Sequence, residues 1–357
     1  MPQTFDELYT LLTGPCEPIA IFGPLGDAAT LKRRYRELLL IIHPDHNPAR
    51  AAMANVAVTR LRDLFAVAQQ QVAQGIYGMR PLISVTSSLH EYIGYEQPLP
   101  GDLCDLYPCM VESEPMLLKV TRLPRNNDLM AAEAQALQRI EMNLAGLAVR
   151  AHFPTLVESF LIRDSLHVQR QSNVLRREQG TYSLAEVLRA YPNGLLLADA
   201  AWMFKRLLAA LANAHDMGLV HGAVTLAHVL IRPADHNGIL IDWCYSVPIG
   251  TPLKAISRPY ADDYPPEVPA KLPATPATDL YMASRCLVRL LGGSGDANTL
   301  PPSVPKAVQA LMRSCQLASP QRRANDAWQL FDDFNELLQQ LYGPPKFRPF
   351  VMPNNET

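Results

Sequence analysis

The sequence predicts an α+β protein, in which an all-α helical hairpin precedes a region with a small β-rich part and a larger helical part. Residues 29–42 and 52–73 carry apolar side chains at helical spacing. Residues 81–178 instead alternate short runs of Val, Leu and Ile with turns, which is typical of strands. Helical patterns return after residue 183. We therefore expect units at 1–79, 82–178 and 179–342, followed by a tail at 343–357.

The composition excludes several classes of function. Of the 357 residues, 48% are hydrophobic and 18% are charged, which is enough to bury a core. Because 32 basic residues are balanced by 34 acidic ones, the chain has no general attraction to nucleic acid. No uncharged apolar run reaches the roughly 18 residues of a membrane span, and the N-terminus lacks the pattern of a signal peptide. We expect a cytoplasmic protein that contacts neither nucleic acid nor a membrane.

The cysteines and histidines do not suggest a metal centre. Six cysteines are scattered without a Cys-x-x-Cys pair, which favours free, buried thiols in a reducing compartment. His215, His221 and His228 recur along the chain, but we expect no metal site from them. The sequence thus predicts neither a disulfide framework nor a bound metal.

Two helices are predicted in the first unit. Asp27 stands where an N-cap is expected, and Pro44 should end the first helix at His43 because the residue before a proline disfavours helical geometry. The loop that contains His43-Pro44-Asp45 then leads into the second helix. Its predicted inward-facing residues are Val56, Leu61, Leu64, Phe65, Val67 and Ala68.

The later elements follow from the same periodicities. Short apolar runs predict strands at Leu106–Val111, Met116–Val120, Leu156–Ile162 and Leu166–Leu175. Helical spacing predicts helices at Leu129–Leu144, Ala198–Met217, Asp279–Leu291, Ser303–Leu317 and Ala324–Leu341. The three tryptophans, which lie in apolar contexts, are expected in the core: Trp202, Trp243 and Trp328. The proline-bearing tail should lie on the surface.

A basic amphipathic helix followed by His43-Pro44-Asp45 and a second helix resembles the J-domain of DnaJ-type co-chaperones. The match covers roughly residues 19–79 and includes Ile76-Tyr77-Gly78. The resemblance implies that the tripeptide triggers ATP hydrolysis in a DnaK-type chaperone. The basic residues opposite the apolar stripe would form a cationic strip for an acidic partner: Lys32, Arg33 and Arg36. In the alternative interpretation, the proline only ends a helix and the basic residues only aid solubility.

Several separated segments of residues 82–342 resemble, in the family's order, the bilobal protein-kinase fold with its small β-rich lobe and larger helical lobe. Leu117-Leu118-Lys119-Val120 is similar to the strand that offers the phosphate-binding lysine, and Glu133 stands where the family's helix offers a carboxylate to it. Asp242-Trp243-Cys244 takes the place of Asp-Phe-Gly. The resemblance implies that Lys119 pairs with Glu133; the alternative is a solvated surface pair without a role.

Other motif positions that the resemblance identifies are structural. His221 lies at the approach to the family's catalytic loop, and Asp279 at the start of the next core helix. Glu267 ends the segment that resembles the activation segment, and the resemblance implies a structural ion pair between Glu267 and either Arg322 or Arg323. These residues support the fold and carry no catalytic role.

The departures from the kinase pattern indicate a catalytically inactive member, a pseudokinase. Where the family reads His-Arg-Asp-x-Lys-x-x-Asn, this chain reads His221-Gly222-Ala223-Val224-Thr225-Leu226-Ala227-His228. Ala223 replaces the carboxylate that accepts the substrate proton, Thr225 replaces the lysine, and His228 replaces the asparagine that holds magnesium. Of the glycine-rich loop only Gly101 remains. The vestigial nucleotide site would comprise Gly101, Lys119, Glu133 and Asp242, and we expect no cofactor beyond weak binding of ATP and magnesium.

These expectations combine into a co-chaperone adaptor that is not an enzyme. The J-like unit would recruit and stimulate a DnaK-type ATPase while the kinase-like region binds an unknown client or partner protein. Two alternatives remain open. The kinase-like region could be an atypical active Ser/Thr kinase that relies on Asp242 and Lys119, or the whole chain could be a structural scaffold in a larger assembly.

Overall fold

The structure is a computed structural model that describes residues 4–112, 114–164 and 167–353. It is a mixed α/β protein with a helical N-terminal region and a curled antiparallel sheet. The chain divides into two compact units. The first, the N-terminal unit, runs to Ser84 and includes Ile93–Tyr95; the second, which we call the body, comprises Val85–Tyr92 and the chain from Glu96 onward.

Capping residues determine where the helices of the N-terminal unit begin. Thr4 and Glu7 form a capping box at the first helix. The Asp27 side chain accepts a hydrogen bond from the Thr30 N–H at 2.6 Å, as the predicted N-cap should, and the same helix ends at His43, before Pro44. The helices are α1 (Phe5–Thr13), α2 (Pro18–Phe22), α3 (Ala28–Ile42) and α4 (Ala51–Ala73).

The core of this unit is formed by buried side chains from α1, α2, α3 and α4. The predicted inward positions of Val56 and Val67 are wrong, because their exposed fractions are 54% and 45%. Leu61, Leu64 and Ala68 are buried as predicted, and Phe65 is half-buried. The buried stripe of α4 also includes two small residues, Ala54 and Ala57, which allow close approach of the neighbouring helices. Its members are Ala54, Ala57, Leu61, Leu64 and Ala68.

Two polar side chains fix the segment between α2 and α3. The Arg34 guanidinium donates hydrogen bonds to the carbonyl oxygens of Phe22 and Pro24. The Tyr77 hydroxyl donates to the Gly23 carbonyl oxygen at 2.9 Å. Arg34 therefore belongs to the structure of the unit, whereas the neighbouring basic residues of α3 point to solvent.

The curled sheet of the body is antiparallel. Its hydrogen-bonded neighbours are, in order, β4 (Cys104–Val111), β5 (Glu114–Thr121), β7 (Gln169–Arg176) and β6 (Leu156–Arg163), and β3 (Leu99–Pro100) pairs with β4. In the register of the sheet, Lys119 lies opposite Leu106 on one side and Asn173 on the other. The strands up to this point in the chain are β1 (Ile83–Thr86), β2 (Glu91–Gly94), β3 (Leu99–Pro100), β4 (Cys104–Val111), β5 (Glu114–Thr121), β6 (Leu156–Arg163) and β7 (Gln169–Arg176), and the helix among them is α5 (Asn127–Leu144).

The remainder of the body is mainly helical and is built around α7 (Leu197–Asp216), whose buried face carries alanines and leucines at helical spacing. The helices are α6 (Leu184–Ala190), α7 (Leu197–Asp216), α8 (Pro276–Leu290), α9 (Lys306–Cys315) and α10 (Ala327–Tyr342). Short strands lie between them: β8 (Tyr182–Ser183), β9 (Leu219–Val220), β10 (Val229–Arg232), β11 (Asn237–Leu240) and β12 (Val247–Pro248). The β10–β11 hairpin pairs Val229 with Leu240.

The predicted strands and long helices correspond to observed elements, with ends that differ by a few residues. The strand predicted from Leu166 begins on a residue outside the described ones; the observed strand starts at Gln169. Trp243 is fully buried, as expected, and Trp202 is half-buried. The prediction for Trp328 is wrong: it is 40% exposed, and its indole N–H donates to Asp216 at 3.1 Å.

A buried ion pair connects Glu267 to the segment before α10. Arg323 Nη2 lies 2.6 Å from Glu267 Oε2, and both side chains are almost fully excluded from solvent. The sequence left open whether Arg322 or Arg323 pairs with Glu267. Arg322 is exposed, so the partner is Arg323. Because an unpaired buried charge is costly, this pair constrains the surrounding loops.

The tail packs on the body through aromatic contacts. Phe350 is buried and its ring lies 5.7 Å from Tyr191 and 6.1 Å from Trp202. Arg348 pairs with Asp199 at 2.8 Å. The described part of the tail therefore lies on the surface, as expected, and is anchored there by a buried ring. None of the helices in the described residues has both the length and the apolar character that a membrane-crossing segment requires.

Candidate functional site

The His43-Pro44-Asp45 tripeptide follows α3 as a short 3₁₀ turn. His43 Nδ1 accepts a hydrogen bond from the Asp45 N–H at 3.2 Å. The Asn47 side chain donates to the carbonyl oxygens of Ile41 and His43 at 2.9 and 3.0 Å. These bonds, together with the fixed φ of Pro44, hold the backbone while the Asp45 side chain remains in solvent. The tripeptide is an ordered turn in which Asp45 is exposed while His43 and Pro44 are half-buried.

The basic residues of α3 are available to solvent. Lys32, Arg33 and Arg36 are exposed, and Arg33 has only a loose contact with Glu37, at 3.9 Å. Such an exposed pair contributes little to stability. The structure thus places the three predicted basic residues on an open surface of the helix that ends at His43.

In the body, the structure brings together three charged residues that the sequence singles out. Lys119 Nζ, from β5, lies 2.6 Å from Glu133 Oε1 on α5 and 2.7 Å from Asp242 Oδ1. The Lys119 and Glu133 side chains are 3% and 0% exposed, so the alternative of a solvated surface pair is wrong. The second Glu133 oxygen accepts from the Asn173 side chain at 2.9 Å. The Lys119 ammonium thus donates to two protein carboxylates.

The charges in this group determine one another's ionisation. Burial alone would lower the pKa of Lys119, but the Asp242 and Glu133 carboxylates raise that pKa well above its usual value. Burial alone would raise the pKa of Asp242, but Lys119 and then His228 outweigh it and lower that pKa. Burial also raises the pKa of the neighbouring Cys104 thiol to about 12, and the nearby Asp242 acts in the same direction. Cys104 is therefore an unreactive, protonated thiol.

Two residues that sequence reasoning did not assign to this site complete it. His228 Nε2 lies 3.2 Å from Asp242 Oδ2 and 3.7 Å from Asp102 Oδ2. Asp102 Oδ2 also accepts hydrogen bonds from the Tyr245 hydroxyl, at 3.0 Å, and from the Ser257 hydroxyl. We call Asp102, Lys119, Glu133, His228 and Asp242 the charged cluster.

The β10–β11 hairpin explains why His228 meets Asp242. Val229 is opposite Leu240, so the residues that flank the hairpin, His228 and Ile241, are also opposite each other, and the Ile241 N–H donates to the His228 carbonyl oxygen at 2.9 Å. Asp242 follows with a φ of 68°, an uncommon conformation for a residue with a side chain. In the sequence, the signal for the β10–β11 hairpin is the turn at residues 233–236 between two short apolar runs. Asp102 comes from the distant β3–β4 turn and had no such signal.

Ala223 and Thr225, the two positions where the sequence resemblance expects a carboxylate and a lysine, are buried. Ala223 is fully buried in an apolar cluster with Leu129, Cys244 and Tyr245. Thr225 is also fully buried, and its hydroxyl has no hydrogen-bond partner among the described residues. Neither position presents a charged side chain to a substrate.

Gly101 has a packing role rather than a phosphate-binding geometry. A Cβ atom at this position would lie 2.6 Å from Leu106 Cδ1, so the glycine allows the turn to pack against β4. The Arg122 guanidinium donates to the carbonyl oxygens of Gly101, Asp102 and Cys104. A cavity of about 790 Å³ opens beside this turn, lined by Asp102, Tyr245 and Arg258 among other residues.

His221 and Asp279 hold the backbone around Ala223. Asp279 is fully buried, and its carboxylate accepts from the His221 and Gly222 N–H groups at 2.8 and 2.9 Å. Its Oδ2 also lies 3.0 Å from His215 Nε2. His221 Nε2 donates to the Ile241 carbonyl oxygen at 2.9 Å, while its Nδ1 accepts from the Ala223 N–H at 3.3 Å. These contacts are structural.

Comparison with known proteins adds no relative: no protein-family model matches the chain, and no curated protein matches it.

The buried neutral imidazole of His221 predicts a pH dependence of the body's stability. Burial lowers the pKa of His221 to about 4 from its ordinary value of 6.5. Protons then favour the unfolded chain, so the free energy of unfolding should fall by about 3 kcal/mol as the pH falls from about 6.5 to about 4. Burial lowers the pKa of His152 and of His236 too, which adds to the same slope.

Urea unfolding followed by tryptophan fluorescence measures this slope for the body, which contains all three tryptophans. His221→Gln should lower stability at neutral pH and flatten the slope, whereas His46→Gln, at an exposed position of the N-terminal unit, should leave it unchanged. Parallel curves for wild type and His221→Gln would contradict the assignment.

Proposed function

We propose that this chain is a co-chaperone adaptor whose N-terminal unit acts as a J-domain on a DnaK-type ATPase and whose body binds a client or partner protein. The observation that carries the proposal is the ordered His43-Pro44-Asp45 turn, in which Asp45 is exposed and His43 and Pro44 are half-buried, at the end of a helix with an open basic surface.

The N-terminal unit combines long-range attraction with a short-range contact. Lys32, Arg33 and Arg36 are free to attract an acidic partner surface, which mainly raises the rate of encounter and depends on salt. The tripeptide is already ordered by Pro44 and Asn47, so its binding costs little conformational entropy. Both features fit a partner that is engaged transiently and repeatedly.

The body is proposed to be a protein-kinase-like fold without phosphotransfer activity. The buried Lys119–Glu133 pair with Asp242 beside it supports the likeness, as does the buried Arg323–Glu267 pair. Phosphoryl transfer depends on positioned charges around the transferring group. Here Ala223 and Thr225 supply none. Recognition of a partner is the role that remains for such a body.

The first test is stimulation of a bacterial DnaK ATPase by the full chain at steady state. Wild type should stimulate, and His43→Gln should reduce stimulation to background because the contact residue is lost. Replacing Lys32, Arg33 and Arg36 by Gln should raise the half-saturating concentration by about 10- to 100-fold at low salt. Arg62→Gln, an exposed arginine on α4, is the matched control and should stimulate like wild type.

A wild-type chain that gives no stimulation would favour the scaffold alternative. Stimulation that persists unchanged in His43→Gln would assign the effect to another part of the chain and would contradict a J-domain role.

The second test is transfer of labelled phosphate from ATP with magnesium to the chain itself and to general protein acceptors. Wild type should give no more label than Lys119→Ala or Asp242→Asn, since the proton acceptor and the phosphate-neutralising cation are missing. Label that appears with wild type and disappears with both variants would support the active-kinase alternative instead.

A further inference from the structure

The charged cluster contains a point at which three potential metal ligands converge. In the described part of the chain, Asp102, His228 and Asp242 form the one group of three such residues, with one ligand atom from each lying within 4.8 Å of the others. Their side chains are 20%, 7% and 14% exposed, so the point is sheltered and still reachable from solvent. All three residues belong to the body.

The orientation of His228 leaves a lone pair directed at two carboxylates. His228 Nδ1 lies 2.8 Å from the Ala223 carbonyl oxygen, which can only accept, so Nδ1 carries the proton. In the neutral ring, Nε2 is then an acceptor that faces Asp242 Oδ2 and Asp102 Oδ2. Three acceptors around one point repel one another unless a positive group lies between them. That group is either a proton on Nε2 or a metal ion.

The charge count of the cluster favours a divalent cation. Three carboxylates, Asp102, Glu133 and Asp242, against the single Lys119 ammonium leave a net charge of −2. A divalent cation would neutralise it. Arg122, the nearest other cation that contacts the Asp102 turn, is paired with Asp105 at 2.7 Å.

Each of the three residues also has the outer partner that metal ligands characteristically have. His228 donates its other N–H to a backbone carbonyl oxygen. Asp242 accepts from Lys119 on its second oxygen, and Asp102 accepts from Tyr245. Such partners orient a ligand and fix its protonation. Here they belong to residues 119, 223 and 245, on three separate segments.

The ligand chemistry does not fit magnesium, the ion that the resemblance to protein kinases implies at this position. Magnesium prefers oxygen ligands in octahedral geometry, and His228 offers nitrogen. One nitrogen and two carboxylates suit zinc and similar transition ions, which bind three protein ligands at about 2 Å and keep a fourth position open. We propose that Asp102, His228 and Asp242 bind a zinc-class divalent cation that ties the β3–β4 turn to the β10–β11 hairpin without a nucleotide.

The test is metal binding by the full chain, after chelator treatment and dialysis, with Zn²⁺ or Co²⁺ as the probe. Wild type should bind about one equivalent with its affinity measured against a chromophoric chelator, Co²⁺ should give the visible absorption of a nitrogen- and oxygen-ligated site, and excess Mg²⁺ should not displace either ion. His228→Asn and Asp102→Asn should each weaken binding by at least about tenfold, and Tyr245→Phe by about tenfold through loss of the outer hydrogen bond.

His46→Asn is the control, because His43 and His46, with ring centroids 6.1 Å apart, could together offer two imidazoles to a metal ion outside the body. It should bind like wild type. If tryptophan fluorescence shows that His228→Asn does not fold, the affinity of Asp102→Asn decides the test. We expect Asp102→Asn to fold, because the asparagine oxygen still accepts hydrogen bonds from Tyr245 and Ser257. Absence of stoichiometric binding in wild type, unchanged affinity in the folded ligand variants, or binding lost only in His46→Asn would overturn the proposal. None of these results depends on stimulation of an ATPase, so the proposed function stands or falls separately.

Discussion

The buried ammonium of Lys119 is the interaction on which the arrangement of the body depends. Lys119, on β5, pairs with Glu133 on α5 and with Asp242 in the segment after β11. Loss of the ammonium would leave these buried carboxylates without a counter-charge, which is energetically costly. The same bonds fix the position of Asp242, and Asp242 in turn fixes the orientation in which His228 and Asp102 meet it. These contacts make the charges one connected group.

The two units divide the proposed work between an exposed and a buried arrangement. In the N-terminal unit, the side chains that matter project from a rigid turn and from the solvent face of α3. In the body, the charged residues face one another, and the backbone around Ala223 is held by Asp279 and His221. The first arrangement is suited to brief contact with a partner, and the second to maintaining a fixed shape. A co-chaperone that presents a client to an ATPase requires both properties.

Sequence reasoning succeeded where periodicity or local geometry determines the answer. Asp27 and Pro44 mark the ends of α3, and the alternating apolar runs locate β4 to β7. It failed where packing decides: Val56 and Val67 look like core residues, but the alanines of α4 allow closer approach and take the inner face. The pair of Lys119 with Glu133 was expected from a resemblance. Asp102 was missed, because its meeting with His228 depends on a contact between distant parts of the chain.

The most direct measurement of the central claim is a double-mutant cycle on Lys119 and Glu133, read by urea unfolding with tryptophan fluorescence. Lys119→Met should cost about 3 to 5 kcal/mol, because it leaves buried carboxylates unpaired. Adding Glu133→Gln should recover part of that loss, so that the double variant is more stable than the sum of the single effects predicts. A Lys119→Met variant that unfolds like wild type, or single effects that simply add, would contradict the account.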